Sequence, residues 1–122
     1  MKKILIADDE KDALEILAKK LSQHNYTVRT VATGGEAIQW AKSVKPDLLL
    51  LDIVLPDMDG YAVASALKED KALEKIPIIF ITGKELLPQG IEERIAQLGA
   101  FDYIMKPCAF EDILVKVKAV LG

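Results

Sequence analysis

Leu48-Leu49-Leu50-Leu51-Asp52 is the stretch that decides the fold: four consecutive leucines running into a carboxylate, with Pro46-Asp47 just before them. A strand with one wet face alternates apolar and polar residues, whereas a strand covered on both faces reads as an unbroken apolar run. The leucines therefore read as a central strand of a parallel sheet. The chain on either side has to supply helices for both faces.

It does so in strict alternation. Upstream, Ile4–Ala7 reads as a strand ending at Asp8-Asp9, followed by a helix from near Asp12 with Leu14, Leu17 and Leu21 on one face and His24-Asn25 at its end. Thr27–Val31 is a second strand, and the Thr33…Glu36 spacing opens a helix as a capping box does. Downstream, Pro56-Asp57-Met58-Asp59-Gly60 is a turn-rich loop before a helix over Tyr61–Lys68. Ile76–Ile81 is the fourth strand, with Pro77 near its start. Pro88-Gln89-Gly90 introduces a helix over Ile91–Leu98, closed by Gly99. Phe101–Met105 is a fifth strand, placed at an edge by Asp102, and Glu111–Leu121 is a last helix with Ile113, Val117, Val120 and Leu121 on its apolar face.

Five such βα units predict an α/β fold, a five-stranded parallel sheet with helices on both faces. In the flavodoxin-like strand order 2-1-3-4-5, ligands bind beyond the carboxyl ends of the strands, where the order reverses between strands one and three. Those strands end in Asp8-Asp9 and Asp52. No linker, repeat or low-complexity segment interrupts the chain, so residues 1–122 are expected to form one domain.

Composition narrows the function. Half of the 122 residues are apolar, enough for a real core. A net charge of −3, with no Lys/Arg run, argues against direct contact with nucleic acid. Cys108 is the only cysteine, so no intrachain disulfide can form, and a reducing cytoplasm is the expected location. The apolar stretch behind Met1-Lys2-Lys3 breaks at Asp8, too early for a leader, and no stretch approaches membrane-spanning length.

Two further strands end on useful groups, Thr82 after Ile81 and Lys106 after Met105. Together the strand ends offer three carboxylates, a hydroxyl and an ammonium. Three carboxylates in one crevice repel each other, and a hard divalent cation such as Mg²⁺ relieves that with oxygen ligands. Asp9 and Asp52, with Asp8 direct or through water, are the ligands chosen, and the Val54 carbonyl is the backbone oxygen best placed to add another. A carboxylate can also take up a phosphoryl group as a nucleophile. Lys106 would then supply positive charge, Thr82 a hydrogen bond, and Gly83 an open approach with its N–H.

Five motifs carry a family resemblance: Ile-Ala-Asp-Asp-Glu at 6–10, Leu-Leu-Leu-Asp-Ile at 49–53, Pro-Asp-Met-Asp-Gly at 56–60, Ile-Thr-Gly at 81–83 and Tyr-Ile-Met-Lys-Pro at 103–107. The chain resembles, over its whole length, a receiver domain of the two-component response regulators in the stand-alone, chemotaxis-regulator style. The resemblance implies that Asp52 accepts a phosphoryl group from a phosphohistidine on a sensor histidine kinase. It implies that Asp8 and Asp9 help hold Mg²⁺, with Mn²⁺ as a substitute, and that Thr82 and Lys106 contact the phosphoryl group. Tyr103 falls at the family's switch aromatic, which rotates inward as the Thr82 hydroxyl moves. The face formed by the fourth helix, fifth strand and fifth helix would then bind a downstream protein, and the Lys106-Pro107 bond is often cis. The spacing from Thr82 to Lys106 exceeds that of common relatives, with the excess placed in 84–90. Val54 and Lys84 stand where relatives tune phosphate lifetime. Val54 cannot hold an attacking water, so slow autodephosphorylation is expected.

Plainer readings stand beside these. A lone strand-end Asp, Thr82 or Lys106 is ordinarily a solvated loop residue, and only their co-occurrence makes a site. Tyr103 could simply pack an edge strand. Asp57 and Asp59 fit turn chemistry better than metal ligation. His24 reads as a surface residue, Cys108 as small packing and Trp40 as helix packing. Two other functions compete with this one. A haloacid-dehalogenase-type phosphatase needs a second Asp two residues after the nucleophile, where this chain has Val54, and a cap domain, which residues 1–122 are not expected to contain. A phosphorylation-independent interaction module of the same fold would ordinarily have lost an acidic residue, the Thr or the Lys. The leading expectation is a switch that binds another protein, and not an enzyme with a separate substrate.

Overall fold

The computed structural model describes residues 1–83 and 91–122. Five strands, β1 (Lys3–Ala7), β2 (Thr27–Val31), β3 (Leu48–Asp52), β4 (Ile78–Gly83) and β5 (Asp102–Lys106), alternate with five helices. The helices are α1 (Lys11–Ser22), α2 (Gly34–Val44), α3 (Gly60–Lys68), α4 (Ile91–Leu98) and α5 (Phe110–Leu121). The strands form one parallel sheet in the order β2-β1-β3-β4-β5.

The leucine run feeds both cores. Leu48 to Leu51 have no exposed surface, and alternation sends them to opposite faces. Leu49 and Leu51 join Leu5, Phe80, Ala37, Ala41, Val63, Leu67 and Ile95 beneath α2, α3 and α4. Leu48 and Leu50 join Ile4, Ile6, Ile79, Leu14, Leu21, Ile113 and Val117 beneath α1 and α5.

Element ends follow local chemistry. The Thr33 hydroxyl caps α2 by accepting from Glu36 N–H at 3.1 Å, but the reciprocal capping-box bond takes another form: the Glu36 carboxylate accepts from that hydroxyl, also at 3.1 Å. Gly99 closes α4 at φ +67°, with Ala100 N–H reaching back to the Ile95 carbonyl at 3.0 Å.

Several strand boundaries differ from the sequence expectation by one or two residues. β4 begins at Ile78 rather than Ile76, because Ile76 N–H is used in a turn to Leu73 and Pro77 has no N–H to give. The Pro77 carbonyl instead accepts the Leu49 N–H at 3.0 Å. β3 runs through Asp52, and β5 runs one residue later than expected, through Lys106. The pairs Asp52↔Ile81 and Gly83↔Lys106 therefore belong to the sheet ladder. Residues 84–90, which hold Lys84 and the extra spacing expected from the sequence, fall outside the described residues.

Candidate functional site

Ladder register brings the candidate side chains together. Ala7 pairs with Leu51, so Asp8 follows β1 at the level where β3 presents Asp52. Asp8 N–H donates to the Val31 carbonyl at 3.1 Å, extending the β1–β2 ladder by one step. One oxygen each from Asp8, Asp9 and Asp52 lie within 4.8 Å of one another. Asp8 and Asp52 are buried and Asp9 is exposed.

Lys106 Nζ reaches into this cluster, 2.8 Å from Asp8 Oδ2 and 3.3 Å from Asp52 Oδ2. The other Asp52 oxygen accepts the Val54 N–H at 3.0 Å, and Asp8 Oδ1 accepts the Glu10 N–H at 3.0 Å. Burial pushes the Asp52 carboxyl up from its usual 3.8 to about 6. The Val54 N–H and Lys106 oppose that rise, while the Asp8 charge adds to it. The ammonium sits closer to Asp8, so Asp52 receives the smaller share of the counter-charge. Burial alone would lower the Lys106 ammonium, but the hydrogen bond to Asp8 and the charges of Asp52 and Asp8 outweigh it and hold the group above its usual range.

The donor set fits a hard divalent cation. Three carboxylates share one ammonium, and burial leaves Asp52 reluctant to carry its charge unaided. The cluster opens on a crevice of about 780 Å³, lined among others by Val54, Gly83, Ile16 and Phe110.

The remaining sequence candidates are placed as follows. Thr82 has no exposed surface, and among the described residues its hydroxyl makes only a long 3.5 Å contact to the Gly83 carbonyl. Tyr103 is half-buried against the α2–α4 core and its hydroxyl donates to Glu92 on α4 at 3.2 Å. That bond is the first cause holding the Tyr103 phenol above its usual range. The Val54 side chain is exposed at the crevice wall. The Lys106-Pro107 bond is cis. His24 is exposed beside Phe110, Cys108 is half-buried, and Trp40 lies under the Arg29 guanidinium at 4.1 Å.

Neither Asp57 nor Asp59 joins the carboxylate cluster. Asp59 caps α3 through Ala62 N–H at 2.8 Å, whereas Asp57 accepts from both Gly34 and Gly35 N–H across the fold, each at 2.8 Å. Sequence reasoning found the turn chemistry but missed this long-range cap, because nothing local links Asp57 to residues 22 and 23 positions away. Glu92 was missed for the same reason.

The profile of the family described as "Response regulator receiver domain" matches residues 4–118. The chain is 36% identical over 121 residues to the alkaline phosphatase synthesis transcriptional regulatory protein PhoP of Bacillus subtilis (strain 168), covering 98% of this chain and 48% of that protein. It thus spans about half the length of the curated relatives it matches. A putative response regulator from Chloroflexus aurantiacus J-10-fl superposes with a TM-score of 0.89 at 30% identity, covering 98% of this chain and 97% of the other. A signal receiver domain of a signal transduction histidine kinase from Syntrophus aciditrophicus gives 0.88 at 34% identity, covering 99% and 90%.

Proposed function

Because the chain belongs to the response regulator receiver domain family, we propose that it is the phosphoacceptor of a two-component system, with Asp52 taking a phosphoryl group from a sensor histidine kinase. Receiver domains are regulatory, and the reading here is a switch rather than an enzyme with its own substrate. The observation that carries it is the convergence of Asp8, Asp9, Asp52 and Lys106 at the ends of β1, β3 and β5.

An Asp52 oxygen attacks phosphorus, the phosphorus–nitrogen bond to the donor histidine breaks, and a carboxyl-phosphate anhydride forms. Asp8, Asp9, Asp52 and the Val54 carbonyl would hold Mg²⁺, or Mn²⁺ in its place. Bound there, the cation neutralises charge on the transferring group. Lys106 moves from its carboxylate partners to the phosphoryl oxygens, and Thr82 turns its hydroxyl to a third. Tyr103 then leaves Glu92, and the population shifts toward an arrangement of α4, β5 and α5 that binds a downstream protein. Met105 and Val115, exposed apolar residues on β5 and α5, fit such a face. Because the Val54 side chain cannot hydrogen-bond an attacking water, hydrolysis of the phosphoryl group is slower than it would be with Asn or Asp at that position.

The net charge supports a protein partner rather than direct contact of this domain with nucleic acid. Among the described residues no helix is long and apolar enough to cross a membrane. The lone cysteine fits a cytoplasmic setting. Intact mass after incubation with acetyl phosphate, with and without Mg²⁺, tests the reading on wild type and Asp52→Asn. A Mg²⁺-dependent gain of one phosphoryl group, absent in Asp52→Asn, is the expected result. No gain where a control receiver is labelled would point to a phosphorylation-independent interaction module.

A further inference from the structure

The loop from Ile53 to Asp59 carries no residue of the carboxylate cluster, yet its path sets two backbone groups of the site. Val54 N–H holds one Asp52 oxygen, and the Val54 carbonyl is the backbone oxygen assigned to the cation. A backbone carbonyl has no rotamers of its own, so the loop alone determines its aim. The base of the loop is closed by Gly60 N–H on the Ile53 carbonyl at 2.7 Å and by an antiparallel bridge between Val54 and Asp59.

Asp57 fixes the tip. Its two carboxylate oxygens accept from Gly34 and Gly35 N–H, each at 2.8 Å, at the start of α2. These are helix N–H groups without intrahelical partners, at the positive end of the helix dipole. The Thr33 hydroxyl accepts from the Glu36 N–H and leaves those of Gly34 and Gly35 to Asp57, so Asp57 completes the cap from another element. Both glycines permit the approach. A Cβ on Gly35 would sit 3.3 Å from Asp57 Oδ2, and one on Gly34 would collide with Met58 and lie 2.9 Å from Val63 Cγ2. The anchor is rigid, because Ala37 and Ala41 seat α2 in the core with no exposed surface.

We infer that Asp57 is a positioning residue for the cation site: by tying the β3–α3 loop to the N-terminus of α2, it holds the Val54 carbonyl and N–H in the pose that cation binding at Asp52 requires. The inference rests on the proposed function, since it concerns the same site. Outer-shell groups of this kind set metal affinity without touching the metal.

Calorimetric titration of the unphosphorylated chain with Mg²⁺ tests it. Asp57→Ala should weaken Mg²⁺ binding about ten-fold or more. Thr33→Ala uncaps the same helix end without touching the loop, and should keep wild-type affinity. Labelling of Asp57→Ala by acetyl phosphate should be slow at low Mg²⁺ and recover at saturating Mg²⁺, as a loss of affinity and not of chemistry requires. Should Asp57→Ala not fold, Asp57→Asn, with one acceptor oxygen left, carries the same comparison with a smaller loss. Wild-type affinity in the Asp57 variant, or an equal loss in Thr33→Ala, overturns the inference. Wild-type protein that takes up no Mg²⁺, or Asp52→Asn that is still labelled, overturns the underlying reading and this inference with it.

Discussion

Lys106 is the sole cation within hydrogen-bond reach of two buried carboxylates among the described residues, and its removal exposes what it holds together. Lys106→Ala should lower metal-free stability by about 2 kcal/mol, below the figure for a fully buried pair because the lysine side chain is 25% exposed. Urea denaturation in a chelator measures this. The same substitution removes a repelling charge, so Mg²⁺ affinity should rise while labelling by acetyl phosphate falls. Asp52 makes a separate prediction in pH. Its folded pKa of about 6 lies above the usual 3.8, so the native state binds this proton more tightly than the unfolded chain does. The ionised carboxylate therefore costs stability, in full above about pH 6, fading toward about pH 4 and absent below it. In chelator, the stability gap between Asp52→Asn and wild type should narrow on acidification from about pH 7 to about pH 5. A gap that widens would show that Asp52 is stabilised as the anion.

At the level of elements, the junctions between strands and helices carry the stress. Gly60 starts α3 against the end of β3, where a Cβ would collide with the Asp52 carbonyl oxygen and lie 2.9 Å from Ile53 Cα. Both obstacles are backbone and cannot swing away. Gly60→Ala should cost about 2 kcal/mol in denaturant melts and slow phosphorylation, because relief requires moving the backbone of Asp52, the proposed phosphoacceptor. Lys45 presents the opposite case. It ends α2 at φ 46° and ψ 70°, a left-handed conformation that suits glycine, while its N–H closes onto the Ala41 carbonyl at 3.0 Å. Lys45→Gly should stabilise by about 0.5 kcal/mol, since relief of the strain exceeds the added unfolded-state freedom. It lies toward the amino end of β3, away from Asp52, so phosphorylation should be unchanged.

For the whole molecule, the site is a load on a sheet whose central strands β1, β3 and β4 are otherwise apolar and buried, and a bound cation should stabilise the entire fold. Mg²⁺ at about 100 times its Kd should add about 2.7 kcal/mol by mass action, visible as a rise in Tm. Asp9→Ala should lose most of that rise while keeping the metal-free Tm, because Asp9 is exposed and has no core role. Much of this architecture was legible in the chain. The unbroken Leu48–Leu51 run, the helical periodicities between strands and the polar groups closing four of the five strands are local patterns, and they sufficed for five βα units, the central place of β3 and the membership of the Asp8, Asp9, Asp52 and Lys106 cluster. Strand limits shifted where a ladder bond depended on a neighbouring strand, as at Pro77, Asp52 and Lys106. The Glu92–Tyr103 bond, the larger share of Lys106 taken by Asp8 and the Asp57 clamp on Gly34 and Gly35 were not legible at all. Hydrophobic period and turn chemistry depend on a few adjacent residues and can be read along the chain. A hydrogen bond between Asp57 and a helix 22 residues away depends on where packing sets both backbones, and that exists only once the sheet is assembled.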